Sequence, residues 1–194
     1  MSRFVLSVFI ALALAAAAAA QAETWQIDPN HSAAQFSVRH MGVSTVRGAF
    51  SKISGTAKYD PADPSKTTLD ATIETNSVDT RVEMRDKDIR SPHFLDVEKY
   101  PTITFHSKQV KAAGSGKLQI TGDLTLHGVT KEVVLDVDGP SAAITDPRGI
   151  HRMGAEATTK INRNDFGITA APGVVGDELT IIIDTELTQP PPKP

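Results

Sequence analysis

The sequence predicts an all-β fold: a closed, up-and-down antiparallel β-barrel of about eight strands, with one short helix inserted near 79–90. Three observations predict it. Apolar residues recur with period two almost everywhere after residue 22. Short turn signals separate the rows, so successive strands pair antiparallel. The strands are also long, about ten residues, which favours a closed tube over a sandwich of short strands.

The first long row is HSAAQFSVRH at 31–40. Ser32, Ala34, Phe36, Val38 and His40 share one face, and His31, Ala33, Gln35, Ser37 and Arg39 the other. Strands are expected near 24–28, 32–40, 46–59, 67–76, 102–110, 116–126, 129–138, 152–162 and 178–188. In the third, Gly48 and Gly55 mark bulges or strong bending, and Phe50 shares the inward parity of Gly48. Leu69, Ala71 and Ile73 form the dry face of the next strand, and Ile103 and Phe105 that of the one after it. Leu118, Ile120, Gly122, Leu124 and Leu126 follow. Val129, Val133, Leu135 and Val137 continue the pattern, interrupted by Lys131. Leu179, Ile181, Ile183 and Leu187 make the last row.

Turns punctuate these rows. Ala113-Gly114-Ser115-Gly116 is a hairpin loop, and Leu126-His127-Gly128-Val129 a tight reversal. The segments 60–66 and 139–149, each with two prolines, are longer loops. Asp79–Val97 breaks the pattern. It is charge-rich, lacks glycine and has helical spacing at Val82, Met84, Arg85 and Ile89. A helix is expected there, capped by Asp79 or Thr80 and ended before Pro92. As the long interruption of the barrel, this helix and the loop 91–101 are the candidate lid.

Met1–Arg3 is a short cationic start, Phe4–Ala20 is unbroken apolar sequence, and Ala20-Gln21-Ala22 has the small-x-small pattern that a signal peptidase accepts. Residues 1–22 are therefore read as a cleaved secretory signal peptide. The mature chain is a single domain over 23–188, followed by a proline-rich tail at 189–194 expected to be disordered. Losing Arg3 takes the formal charge from −3 to −4. The charge is mildly acidic and dispersed, so nucleic acid is not an expected partner. The absence of cysteine rules out a disulfide scaffold, a thiolate nucleophile and a lipidated cysteine.

Candidate chemistry is sparse. The six histidines, His31, His40, His93, His106, His127 and His151, form no H-x-H or H-x-x-x-H pair, so no metal site is expected. His106 and His127 fall on the wet face. Ser32 and His31 point to opposite sides of a strand, and no G-x-S-x-G elbow is present. Asp86 and Asp88, among Arg85, Lys87 and Arg90, read as a solvated, ion-paired helix surface. Asp165-Phe166-Gly167 is a chance copy of a kinase motif, a strand-end turn whose Phe166 closes the apolar interior. His40 stands apart as an imidazole on an apolar face. It is a candidate to hydrogen-bond a polar head group at the barrel mouth, with Arg47 or Arg163 beside it. The inward rows also contain small residues, Ala34, Gly48, Ala71, Ala155 and Ala157, and bulky filler is scarce. Small inward residues leave room for an apolar ligand.

Four blocks carry a resemblance. WQIDPNHSAAQFSVRHMGVSTVRGAF, RDKDIRSPHFLDVEKYPTITF, LTLHGVTKEV and INRNDFGI together resemble, in order, the YceI-like family of bacterial polyisoprenoid-binding exported proteins. The likeness spans roughly 25–188. It implies a lipocalin-like barrel around a long apolar cavity, an isoprenoid or other long-chain lipid as ligand, a periplasmic address and no catalytic activity. Phe36, Val38, His40, Phe94, Leu95, Phe105, Leu124, Leu126 and Phe166 occupy matching motif positions.

The expected function is thus an exported protein that sequesters or carries a long-chain isoprenoid or related amphiphile, a quinone among them. It is not an enzyme, needs no cofactor or metal, and makes at most transient contact with a membrane or membrane protein. The rival expectation is a stress- or redox-linked accessory that docks a membrane partner and binds lipid incidentally. The expected pocket comprises Phe36, Val38, His40 and Phe50; Leu69 and Ile73; Leu95, Ile103 and Phe105; Leu118, Ile120, Leu124 and Leu126; and Phe166 and Ile181.

Overall fold

The computed structural model describes residues 23–189. The signal peptide read at 1–22 and the tail residues 190–194 lie outside the described residues. Gln189, expected in the tail, ends a strand instead.

Among the described residues one sheet contains β1 (Glu23–Ile27), β2 (Ala33–His40), β3 (Ser44–Phe50), β4 (Ile53–Tyr59), β5 (Thr68–Glu74) and β6 (Val78–Asp79). After helix α1 (Glu83–Arg90) come β7 (Thr102–Ala112), β8 (Lys117–Leu126), β9 (Val129–Asp138), β10 (Ile144–Thr145), β11 (His151–Asn162) and β12 (Val175–Gln189). β1 runs on into β2, β3 into β4 and β5 into β6, each across a short break. Eight staves result, each antiparallel to the next in chain order. The last closes on the first, with Leu187 opposite Ile27 and Ile183 opposite Ala34. Among the described residues the fold is the expected closed eight-stave barrel with one α-helix. The two-residue strand β10 pairs with the start of β11.

The third expected strand, 46–59, is two strands rather than one. The breaks at 28–32, 51–52 and 75–77 lie side by side in three adjacent staves, and each has its own hydrogen-bond partners. Ser51 N donates to Ser77 O, Lys52 N to Ser77 Oγ and Glu74 N to Lys52 O. In the first break the Ser32 hydroxyl stands in for backbone, donating to Glu186 O and accepting from Glu186 N at 3.0 Å. The sheet turns a corner at this belt without orphaning its polar groups. Gly55 (φ 153°) sits just below it, where an added Cβ would lie 2.1 Å from Asp70 O. Gly48 is no bulge, because it holds regular register opposite Phe36.

The helix starts later than its charge pattern predicts. Val78–Asp79 pairs with Ala49–Phe50 as a strand. Asp79 accepts from Arg81 N, and neither it nor Thr80 caps α1. Asp86, expected on a solvated surface, is buried instead, accepting from Thr80 N at 2.8 Å and from Thr80 Oγ1 at 2.5 Å. Arg85 donates to Thr80, and Arg90 to Val78 O and Asn76 O. These bonds outweigh the local helical preference of 79–82 and strap α1 to β6. The helix ends at Ser91, extended (ψ 170°) ahead of Pro92.

The meander defines two ends. The turns 41–43, 80–101, 127–128 and 163–174 crown the upper one; 60–67, 113–116 and 139–150 form the lower. His127 and Gly128, at φ 52° and 74°, make the expected two-residue hairpin. His127 is half-buried rather than on the wet face. It stacks edge-on to Tyr100, with its Nδ1 3.2 Å from Phe166 O. The lower end is dense: Trp25, Ile27, Ile53, Ala57, Met153 and Leu187 pack together there.

Outside that lower core, Arg152 donates to Asp146, Asp28 and Glu186. Asp28, His31 and Glu186 stand close enough to share a cation, but the Arg152 guanidinium already hydrogen-bonds both of the carboxylates. Burial pushes the Asp146 carboxyl up. Hydrogen bonds from Ile150 N, Arg152 and Arg148 N outweigh it and hold the group at about 2 instead of its ordinary 3.8. A depressed carboxyl stabilises the fold above 3.8, and that contribution is lost as pH falls through about 2. Asp146→Asn should lower the melting temperature at neutral pH and flatten its decline over that acid interval, as read by calorimetry across a pH series.

Candidate functional site

The staves enclose a lumen of about 460 Å³, within the range of roughly 300–1,000 Å³ typical of small-molecule sites. Its walls are almost wholly apolar. All but one of the expected pocket residues face it. Phe36, Val38 and His40 project from β2, Phe50 from β3, and Leu69 and Ile73 from β5. Ile103 and Phe105 come from β7, and Leu118, Ile120, Leu124 and Leu126 from β8. Ile181 comes from β12, and Leu95 from the segment after α1.

Phe166 is the exception. β9 and β11 pair only over 136–138 and 156–158, so their seam gapes toward the upper end. The 3-10 turn Arg163–Phe166 folds over that gap, and its ring is buried among Val78, Leu126 and Ile161 rather than on the lumen wall. The inward parity of β7 also changes part-way. A bulge at Lys108 shifts the register, so Val110, not Gln109, turns inward.

Two phenylalanines explain how a barrel this narrow stays hollow. Phe36 lies against Gly48 on the neighbouring stave, and a Cβ there would sit 2.5 Å from its ring. Phe105 lies against Gly122, where a Cβ would sit 2.4 Å from the ring. Each ring is laid flat into the space its glycine leaves, along the wall and not across the lumen. The inward Ala34, Ala71, Ala155 and Ala157 leave further room.

The lumen is graded along its length. At the lower end its lining is buried, as at Ile27, Ile53, Ala57, Met153 and Leu187. Toward the upper end Val38, His40, Val46, Val175, Leu179 and Ile181 keep partial exposure, so this end is the mouth. Ile89 of α1 and Phe94 of the following loop line it, where a lid was expected. That loop is pinned: Tyr100 O accepts from Thr75 Oγ1 at 2.8 Å, and the Tyr100 ring covers Gly128.

Polar groups at the mouth differ from expectation. His40 does line the lumen, half-exposed. Arg47 lies on the opposite, outward face of β3. The Arg163 guanidinium is buried and fully engaged, donating to Gly176 O, Ile168 O, Ala170 O, Val175 O and Asp177. It fastens the 168–177 segment and has no donor to spare for a head group. Farther down, Tyr59 and Thr67 also face the lumen, and the buried Thr67 hydroxyl has no partner among the described residues. Extending the β4–β5 register by one pair predicts this neighbour pair.

Residues 25–187 match the profile of the YceI-like domain. The chain belongs to the YceI-like family. The protein YceI of Salmonella arizonae is 42% identical over 170 residues, covering 87% of this chain and 88% of that relative. Among solved structures, BcnA of Burkholderia cenocepacia superposes with a TM-score of 0.72 at 24% identity, covering 82% of this chain and 98% of that one. A polyisoprenoid-binding domain from Saccharophagus degradans superposes with a TM-score of 0.63 at 18% identity, covering 86% and 98%. At those identities the two structures establish a shared YceI-like fold.

Within this YceI-like barrel, Gly48→Ala should drive the Phe36 ring off the wall and into the lumen, since the atoms that crowd the new methyl belong to Phe36 and Thr80 side chains. The variant should fold with a stability loss of about 1–3 kcal/mol and a smaller lumen. Denaturant titration and a crystal structure of the variant would check both.

Proposed function

We propose that the protein is an exported, non-catalytic lipid carrier. It leaves the cytoplasm through cleavage of the 1–22 leader, resides in the periplasm, and sheathes the chain of an isoprenoid-type amphiphile, quinones included. The observation that carries this is the enclosed apolar lumen of about 460 Å³, dense below and open above. The polyisoprenoid binding of the Saccharophagus degradans domain supports the choice of ligand.

Energetics decide what such a site can select. Each methylene moved from water contributes about 0.8 kcal/mol, so one five-carbon unit contributes roughly 3–4 kcal/mol. The competing home of such a lipid is a bilayer, however, where its tail is already solvated by hydrocarbon. Transfer of the tail is then near neutral. Preference must come from the shape of the tube and from contacts at the mouth, where His40, Arg39, Arg85 and Asp88 are among the lining residues.

Two experiments test the proposal. Organic extraction of the purified protein followed by mass spectrometry should recover a long-chain lipid in near-stoichiometric amount; protein that carries none, and takes up none when offered isoprenoid lipid, overturns the reading. Val38→Asp places a carboxylate on the lumen wall and should abolish retention while the barrel stays folded by circular dichroism. Ser37→Asp, one residue away, faces outward opposite Arg47 and should retain lipid as the parent does.

A further inference from the structure

The apolar side chains that the barrel leaves in water are not scattered evenly. Met41 and Val43 form the tip of the β2–β3 hairpin, 61% and 80% exposed. Val174 precedes β12, and its carbonyl accepts from Met41 N at 2.7 Å, so the two loops are joined. β6 runs antiparallel to β3, toward that same tip, and delivers Val82 and Met84 to the start of α1. Met84 is 83% exposed. These five residues crown the upper end, around the mouth of the lumen, and Val174 itself lines the opening.

The charges at this end follow a second pattern. Elsewhere on the barrel four exposed lysines sit beside carboxylates, in Lys52–Glu74, Lys108–Asp123, Lys117–Asp138 and Lys160–Glu178, while the exposed Lys58, Lys111 and Lys131 enter no salt bridge among the described residues. At the mouth, Arg39, Arg47, Arg81 and Lys87 enter none of the salt bridges among the described residues. Arg39 instead donates to Gly42 O and Thr45 Oγ1, which braces the hairpin tip. Carboxylates also stand at this end, Asp79, Glu83, Asp88, Asp96, Glu98, Asp165 and Asp177, but none falls within the hairpin 39–47. The hairpin 39–47 thus joins two arginines outside any salt bridge to the exposed Met41 and Val43, with no carboxylate among them. Such a tip is drawn to an anionic surface.

We propose that this rim docks reversibly on an anionic phospholipid bilayer, setting the lumen mouth against the acyl region so that a lipid tail slides between membrane and barrel without crossing water. The inference rests on the lipid-carrier reading and adds where and against what the exchange occurs. Met41, Val43, Val82, Met84 and Val174 insert at the headgroup boundary, and Arg39, Arg47, Arg81 and Lys87 meet lipid phosphates. Side chains this small give shallow, salt-sensitive attachment, which suits a carrier that must leave again.

The test uses protein expressed from the full-length chain and compares flotation with two kinds of vesicle, phosphatidylcholine alone and phosphatidylcholine with phosphatidylglycerol. Uptake of a fluorescent isoprenoid probe is followed both from vesicles and from dilute ethanol. The parent should float with the anionic vesicles and lose that binding in high salt. Val43→Asp with Met84→Asp, both at well-exposed positions, should reduce flotation and vesicle uptake by about tenfold or more, with ethanol uptake unchanged. Equal vesicle uptake by parent and variant overturns the docking surface while leaving the carrier intact. Probe uptake from neither source overturns the carrier reading. Binding only to native membranes, abolished by protease treatment of those membranes, overturns the bilayer as partner in favour of a protein.

Discussion

β12 is hydrogen-bonded on both sides. One edge meets β11 from Glu178 to Gln189. The other meets β2 above and β1 below. A meander of eight staves without that closure would leave two open edges and a solvent-filled cleft. With it, every seam of the ring carries ladder pairing, the β9–β11 seam only over 136–138 and 156–158, and the inward residues line one lumen. The break at 28–32 threatens this closure, since the first stave slips there against β12. The Ser32 hydroxyl and Asp28 N both reach Glu186 in the gap, so the joint holds although the ladder skips. The lumen exists only while that ring is closed.

Protein interiors pack as tightly as organic crystals, so a hollow of this size has to be built. The means here are local. Glycines on one stave receive phenylalanine rings from the next, and alanines line the places where Leu or Ile would meet in the middle. The gradient from a dense lower end to a partly exposed upper end then follows from where the bulky residues stand. Trp25, Met153 and Leu187 fill the base, and above them the inward side chains no longer span the width. The straps from Asp86, Arg90 and Tyr100 hold α1 and its loop over the mouth as part of the wall.

Much of this was legible because a barrel strand shows its inside and outside in alternation. The rows on β2, β5, β8 and β12 needed only parity, and parity placed Val38, Leu69, Leu126 and Ile181 correctly. Where the chain breaks step, parity fails. The bulge at Lys108 hid Val110, and the corner belt disguised β3 and β4 as one strand. Tertiary partners overrode local preference at Asp79–Val82, where pairing with β3 and the buried Asp86 carboxylate displaced the start of the helix. Phe166 was misplaced for a related reason: nothing local reveals that β9 and β11 part company and need a plug. Arg163 looked like a head-group ligand, but a guanidinium fits equally well as the clasp of a loop, and sequence does not distinguish the two.

One feature of the base reaches beyond binding. The chain contains a single tryptophan. Trp25 sits 3% exposed in the lower core, on the stave that completes the ring. Its ultraviolet emission is therefore a built-in gauge of whether the tube is shut. Blue-shifted light reports an intact base. The protein carries its own optical label for cooperative opening, packed against residues that line the lumen floor.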